Sequence, residues 1–341
     1  MNRTLLFISL FSIFTLVSCQ SSPKNEAGKQ NEVELVAEKQ LAFPLDEQTY
    51  YLSKSMFQFE ENGKEYLHFE NTQKSLYDIV IFDIENQQIA KRIPLHKTGP
   101  NGLPAVYGSR PSPDSKQILI SQNNIGRLST INNQGEVVHN YPVKTPEGRF
   151  TTFFFCSYYN APAFVKDSCI FLNQGIFKPN MKREDWPQTH MFASQNLKTG
   201  KFEWVPIFYP PIFKEEYENI DGGYGFSYDY NYKENRLVCG FFGYDSLMVT
   251  DDLKHIRWYN AKSKYLKSMK PKLGNAMAGI NSIIEFCEAP MYWHIMYDKY
   301  RDVYYRFAEM PYKLAPNESP YDEPKGKEFS VIVLNADFEI I

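Results

Sequence analysis

An internal repeat limits what this 341-residue chain can fold into. Five segments share one pattern, in which a turn rich in Lys, Asp, Asn or Ser precedes a short apolar strand. The first strand residues of these segments are Tyr66, Ile118, Ile170, Leu237 and Val303. Their spacings are 52, 52, 67 and 66 residues, and a second hairpin pattern follows each of them. A recurring unit of this kind is typical of a propeller blade.

Each unit is predicted to be one four-stranded antiparallel sheet. A single sheet cannot bury both of its faces, so neighbouring units must stack around a ring. Aromatic residues make up 16% of the chain, and their large, flat side chains suit the spaces between blades. We therefore predict an all-β fold, a single β-propeller domain over residues 35–341 with five visible blades. A β-sandwich with an additional domain is the alternative.

The N-terminus has the pattern of a bacterial lipoprotein signal. One cation and a short apolar run precede a small residue at the expected cleavage site. This pattern predicts a signal peptide over residues 1–18. Leu16-Val17-Ser18-Cys19 resembles a lipobox, in which the Cys19 thiol is acylated and holds the protein on the membrane. Residues 19–34 are predicted to be a flexible tether. Because Gln20 follows Cys19, we expect the outer membrane, with the protein facing the periplasm and surface exposure as the alternative.

Other motifs resemble known propeller families. Ser112-Pro113-Asp114-Ser115-Lys116 resembles the Ser-Pro-Asp-Gly-Lys turn of TolB-like propellers. The segments 97–102 and 297–307 resemble a Bacteroidota-type lipoprotein family known as domain of unknown function 4221. That resemblance implies a six-bladed β-propeller and brings no activity with it. Since the fifth unit reaches Ile341, we expect the six-bladed pattern to be incomplete at the C-terminus, and a ring of five blades is the alternative.

Charge and motifs exclude several functions. The net charge of −3 and pI of about 6.1 give no basis for binding nucleic acid. No motif for a nucleophile elbow, a zinc protease or a phosphate loop is present, and the six His are scattered. We therefore predict no metal, no cofactor and no assembled catalytic set. Four Cys remain besides Cys19, and free thiols are favoured over a disulfide because Cys169 and Cys239 lie in apolar runs.

The candidate ligand site is the central channel, which the innermost strand of each blade should line. Polar or amphipathic side chains predicted there are Tyr107, Arg110, Tyr158, Tyr228, Tyr292 and His294. Aromatic rings with one Arg and one His suit a glycan or a peptide acid group. The alternative is that these Tyr residues pack between blades. The long loops 177–187 and 209–225 are further candidates for specificity.

Two functions fit these features. The first is a membrane-anchored envelope lipoprotein with a non-enzymatic binding or scaffold propeller, whose partner is a glycan, a peptide or a protein. The second is an envelope hydrolase or lyase that acts in the channel through His294, Arg110 and a Tyr. A propeller supports either, so the fold alone does not decide between them.

Overall fold

The computed structural model describes residues 36, 39–53, 55–72, 77–112, 114–122, 126–143, 154–155, 157–158, 161–174, 187–210, 226–267, 280, 284, 287–319 and 326–341. These residues form six antiparallel sheets, five of which are arranged as the blades of a β-propeller. The predicted fold class is therefore confirmed. The sixth blade that the resemblance implies is not among the described residues.

The first two blades have consecutive strands in the order of the chain. Blade one contains β1 (Met56–Glu61), β2 (Lys64–Asn71), β3 (Asp78–Asp83) and β4 (Gln88–Pro94). Blade two contains β5 (Gly108–Pro111), β6 (Ile118–Gln122), β7 (Arg127–Ile131) and β8 (Val137–Pro142). The predicted hairpin pairs lie within these strands, so the repeat is structural as well as sequential.

Blade three has a more complex inner region than the first two. The short strands β9 (Phe154–Phe155), β10 (Ser157–Tyr158) and β11 (Ala161–Pro162) come first, and β10 pairs with β11 in a separate two-stranded sheet. The blade itself is β12 (Phe164–Lys166), β13 (Cys169–Gln174), β14 (Phe192–Asn196) and β15 (Phe202–Trp204), with β9 also paired to β13.

Blades four and five complete the described ring. Blade four contains β16 (Phe226–Asn231), β17 (Arg236–Phe241), β18 (Ser246–Thr250) and β19 (Arg257–Asn260). Blade five contains β20 (Met291–Asp298), β21 (Val303–Glu309) and β22 (Phe329–Leu334). Where a fourth strand was predicted at 338–341, Ile340 forms one antiparallel bridge to Leu334.

The turns that join the first and second strand of each blade explain the repeated polar pattern. Each contains a residue at positive φ, between +49° and +56°. These residues are Asn62, Ser115, Asp167, Asn235 and Asp302. Short polar side chains tolerate this left-handed conformation better than branched or bulky ones. Ser115 occupies the position that glycine takes in the resembling TolB-like turn.

Aromatic rings fill the spaces between blades, as the composition predicted. Phe164 of blade three stacks on Phe171 at 4.7 Å and on Tyr230 of blade four at 4.4 Å, with interplanar angles of 2° and 4°. Branched aliphatic side chains fill the space between blades one and two, where Ile79 and Ile120 are fully buried. The main core therefore lies between sheets and not within one layer.

Blade five also contacts blade one. The Gln58 side-chain amide donates a hydrogen bond of 3.1 Å to the Tyr300 hydroxyl, and Lys299 Nζ lies 3.8 Å from Glu65 Oε1. On blade five, Met296 and Phe329 nevertheless remain 46% and 62% exposed.

Of the four cysteines besides Cys19, three lie in described positions, and all three are free thiols: Cys169, Cys239 and Cys287. Burial raises the pKa of each thiol, most strongly at Cys239, so these thiols are poor nucleophiles at neutral pH. Cys156, the signal peptide, Cys19, the tether and most of the long loops lie outside the described residues. No helix in the described part of the chain has the length and apolar character to cross a membrane.

Candidate functional site

The first strands of successive blades lie next to one another at the centre of the ring. β1 contacts β5, β5 contacts β10, β11 contacts β16, and β16 contacts β20. Each of these strands begins a blade or precedes its first long strand. They therefore form the wall of the central channel, which is where a propeller most often places a ligand.

Arg110, on β5, directs its charge into this channel. Its guanidinium carbon lies 5.2 Å from the centre of the Phe57 ring of blade one. Its charge also acts on His68 of blade one and on Asp229 of blade four. Blade three separates blades two and four, so the interaction with Asp229 runs across the channel. Arg110 is half-buried, and no hydrogen bond or ion pair engages it among the described residues.

A buried polar cluster holds β5 beside Arg110. The Ser109 hydroxyl lies 2.8 Å from His68 Nε2 and 2.8 Å from Glu70 Oε2, and the Ser109 backbone N–H donates to Ser55 Oγ at 3.2 Å. His68, Ser109 and Ser55 are fully buried, and Glu70 is 3% exposed. Burial, with a smaller contribution from Arg110, lowers the pKa of His68 to about 3. The imidazole is therefore neutral at physiological pH.

The cluster has the residue types of a catalytic triad but not its geometry. In a triad the acid orients the histidine, and the histidine activates the serine. Here Glu70 is bonded to Ser109, and His68 Nδ1 has no hydrogen-bond partner in the part of the chain that the structure describes. The imidazole is consequently not oriented as a base. The arrangement instead connects blade one to blade two and fixes the backbone from which Arg110 projects.

Asp229, on β16, faces the channel and connects blades four and five. Its Oδ2 accepts a hydrogen bond of 2.8 Å from the Tyr297 backbone N–H, and its Oδ1 accepts one of 2.8 Å from the Tyr230 N–H. The Ser227 hydroxyl accepts another, of 3.0 Å, from the Ile295 N–H. Burial raises the pKa of Asp229 to about 6, against the lowering effects of these N–H groups and of Arg110.

Two of the predicted channel residues lie between blades instead. Tyr228 is 1% exposed and packs edge-to-face on Phe192 at 4.9 Å. Tyr292 is 2% exposed, and its hydroxyl donates to Asp245 Oδ1 at 2.6 Å and accepts from the Ser263 N–H at 3.0 Å. Both positions agree with the alternative stated in the sequence analysis, in which these Tyr residues pack between blades. Neither side chain has the exposure that contact with a ligand requires.

The remaining predicted residues are divided between the wall and its surroundings. His294 is half-buried beside Trp293 and Phe307, and burial lowers its pKa to about 4. Tyr107 is half-buried at the start of β5, where its backbone N–H donates to Ser121 O at 2.9 Å. The backbone of Tyr158 belongs to β10, and its side chain lies outside the described set.

A second buried cation, Arg306, joins blades four and five away from the channel. It is fully buried. Its guanidinium donates to four backbone carbonyls of blade four: Asp245, Ala261, Phe241 and Tyr244. The guanidinium also lies 3.6 Å from the centre of the Tyr292 ring. Burial lowers its pKa to about 10, so it stays charged at neutral pH. Because both terminal nitrogens of the guanidinium donate to backbone carbonyls of blade four, Arg306 is a structural residue.

Within the described ranges, no group of three or more His, Cys, Asp or Glu side chains could hold a metal ion. Among the same residues, the channel wall presents a guanidinium that no carboxylate pairs with, an aromatic ring beneath it and two acids engaged by hydrogen bonds.

Five antiparallel blades around a polar channel define this protein as a β-propeller. A family model described as Domain of unknown function (DUF4221) matches residues 32–341, and the chain belongs to that family. It is similar to the crystal structure of a DUF4221 member from Bacteroides vulgatus, at 85% identity and a TM-score of 0.87. That match covers 92% of this chain and 86% of the other.

A more distant structure shares the fold alone. A putative exported protein from Bacteroides fragilis matches with a TM-score of 0.52 and 9% identity, over 88% of this chain and 73% of the other. No curated protein matches the sequence. The family assignment therefore brings the fold, and the function has to be argued from the site.

Proposed function

We propose that this protein is an envelope lipoprotein, held on the membrane by a lipid on Cys19, whose propeller binds a ligand in its central channel. The observation that carries the binding role is Arg110. A half-buried guanidinium that faces the channel, with no hydrogen-bonding partner among the described residues, is a poor structural residue and a good receptor for an anionic group. The ligand remains within the predicted classes, a glycan, a peptide or a protein.

Binding is favoured over catalysis by the geometry beside Arg110. The contact between Ser109 and His68 in that region is fully buried, and among the described residues no acid orients the histidine. His294 is neutral at physiological pH and stands against two aromatic rings. A hydrolase or lyase would need one of these groups to reach a substrate. Enzymatic activity is therefore the alternative outcome of the binding test described next.

The binding role is tested with purified full-length protein and a panel of envelope glycans and peptides. Calorimetry should find a ligand whose affinity falls about 10- to 100-fold in Arg110→Ala, the loss expected for charge-assisted hydrogen bonds. The matched control is Arg257→Ala, because Arg257 is exposed on the outermost strand of blade four. Equal affinity in both variants would contradict the role of Arg110. If the wild type turned over a panel compound and His294→Ala abolished that turnover, the hydrolase or lyase alternative would be favoured.

The anchoring role is tested separately. We expect an alkyne fatty acid fed to cells to label the wild-type protein and not Cys19→Ala, with the variant released from the membrane fraction. Separation of the inner and outer membranes on a sucrose gradient should place the wild-type protein in the outer-membrane fraction. Protease added to intact cells should leave it uncut if it faces the periplasm. Labelling of Cys19→Ala at the wild-type level would contradict the lipid anchor.

A further inference from the structure

The guanidinium of Arg110 restricts the shape of the group that it can receive. Its central carbon lies over the Phe57 ring, 5.2 Å from the ring centre. This contact is with the ring face, and no described residue accepts a hydrogen bond from the guanidinium, so its planar edge of N–H donors remains available. An edge of this kind matches the two oxygens of a carboxylate in the same plane.

The backbone under Arg110 is fixed before any ligand arrives. Ser109, the preceding residue, is held to blade one by the hydrogen bonds to Ser55, His68 and Glu70. These groups are buried, and their bonds connect β5 to two strands of blade one. A receptor side chain on a rigid base loses less conformational entropy on binding.

A nearby acid limits the charge of the ligand. Asp229 is bonded to two backbone N–H groups and makes no hydrogen bond to Arg110 in the described structure. Burial raises the pKa of Asp229 to about 6, so at pH 7 most of its carboxylate is ionised and places negative charge in the channel wall. A group with two negative charges would be repelled by this carboxylate more strongly than a group with one.

From these three observations we propose that Arg110 receives a carboxylate, bound edge-on through paired hydrogen bonds above Phe57. The inference rests on the proposed binding function and names its ligand class, a monoanionic acid. Two sources share this chemistry: the uronic acid of a glycan and the carboxylate of a peptide. A phosphate ester does not.

The test follows the arginine Nε–H signals of the full-length protein by NMR. The Arg110 signal is identified as the one missing from Arg110→Lys. The probes are D-glucuronic acid, N-acetyl-dialanine, D-glucose and phenyl phosphate. We expect one of the two acids to shift the Arg110 signal with saturation, and whichever acid binds more tightly identifies the source. D-glucose should leave the signal in place.

The lysine variant separates shape from charge. Arg110→Lys keeps the cation and loses the paired donors, so we expect about a 10-fold weaker affinity for the acid. Arg257→Lys, on the outer strand, should bind as the wild type does. No shift of the Arg110 signal with either acid, or equal affinity in Arg110→Lys, would overturn the carboxylate. Tighter, Arg110-dependent binding of phenyl phosphate would overturn the carboxylate while leaving the binding function intact.

Discussion

Replacing Arg306 by methionine should weaken the contact between blades four and five and so lower the free energy of unfolding. The substitution keeps a long side chain beside Tyr292 but removes the donors that serve four carbonyls of blade four. Each carbonyl left without a partner in the interior costs about 1–3 kcal/mol. Water entry and local relaxation recover part of this, and the desolvation of the charge is regained. We therefore expect a loss of about 3–5 kcal/mol in the free energy of unfolding.

Urea unfolding followed by tryptophan fluorescence measures this loss, because Trp258 and Trp293 report on the two blades that Arg306 joins. For a domain of about 300 residues, the same change lowers Tm by about 5–8 °C. Arg306→Lys keeps the charge with fewer, differently placed donors and should lie between the wild type and Arg306→Met. The matched control is Arg257→Met on the exposed outer strand, for which we expect less than about 0.5 kcal/mol. A loss below about 1 kcal/mol in Arg306→Met would refute the reasoning.

Two further predictions concern stability. Because the folded pKa of Asp229 (about 6) lies above its unfolded value of 3.8, the contribution of this group is greatest below pH 4 and is lost as the pH rises to 6. The stability of the wild type relative to Asp229→Asn should therefore fall by about 1–2 kcal/mol between pH 4 and pH 7 in urea titrations; a flat difference would contradict the buried carboxylate. Gly135→Ala should cost about 2–4 kcal/mol, because a Cβ there would lie 2.0 Å from the Pro94 carbonyl oxygen at φ +82°. Gly200→Ala, at φ +73° with nothing within 4 Å of the added Cβ, should cost only about 1 kcal/mol. If both glycine variants lost the same stability, the clash between the Cβ at position 135 and the Pro94 oxygen would not contribute, which would contradict the prediction.

Much of the fold could be predicted from the sequence because its signals are local. A polar turn followed by apolar alternation marks the second strand of every blade, and the observed strands β2, β6, β13, β17 and β21 contain the five predicted positions. Each of these signals lies within about ten residues, so no knowledge of distant contacts was needed. The number of blades is different, since it depends on how the ring closes.

The direction of individual side chains was harder to predict. Tyr292 and His294 are two residues apart, so regular alternation places both on one face of β20. A β-bulge lies between Tyr292 and Ile295, where two residues oppose Phe307 alone. Tyr292 and Ile295 therefore share the buried face toward blade four. Nothing in the local sequence marks this bulge.

The residues missed by the sequence reasoning are those with distant partners. His68 and Glu70 meet Ser109 across separations of 41 and 39 residues, and Arg306 reaches Ala261 across 45. All four polar residues lie inside strands, where a single sequence gives no sign of a partner on another blade. A charged side chain such as Arg306 within an otherwise apolar strand was the one available signal, since it must be paired if buried.

A crystal structure of the protein with the tightest acid from the NMR panel tests the central claim most directly. The account predicts a carboxylate in the channel, with both oxygens about 2.7–3.0 Å from the Arg110 guanidinium nitrogens and Phe57 still beneath it. A ligand bound on the outer strands or the rim, with the Arg110 guanidinium making no contact to it, would contradict the account.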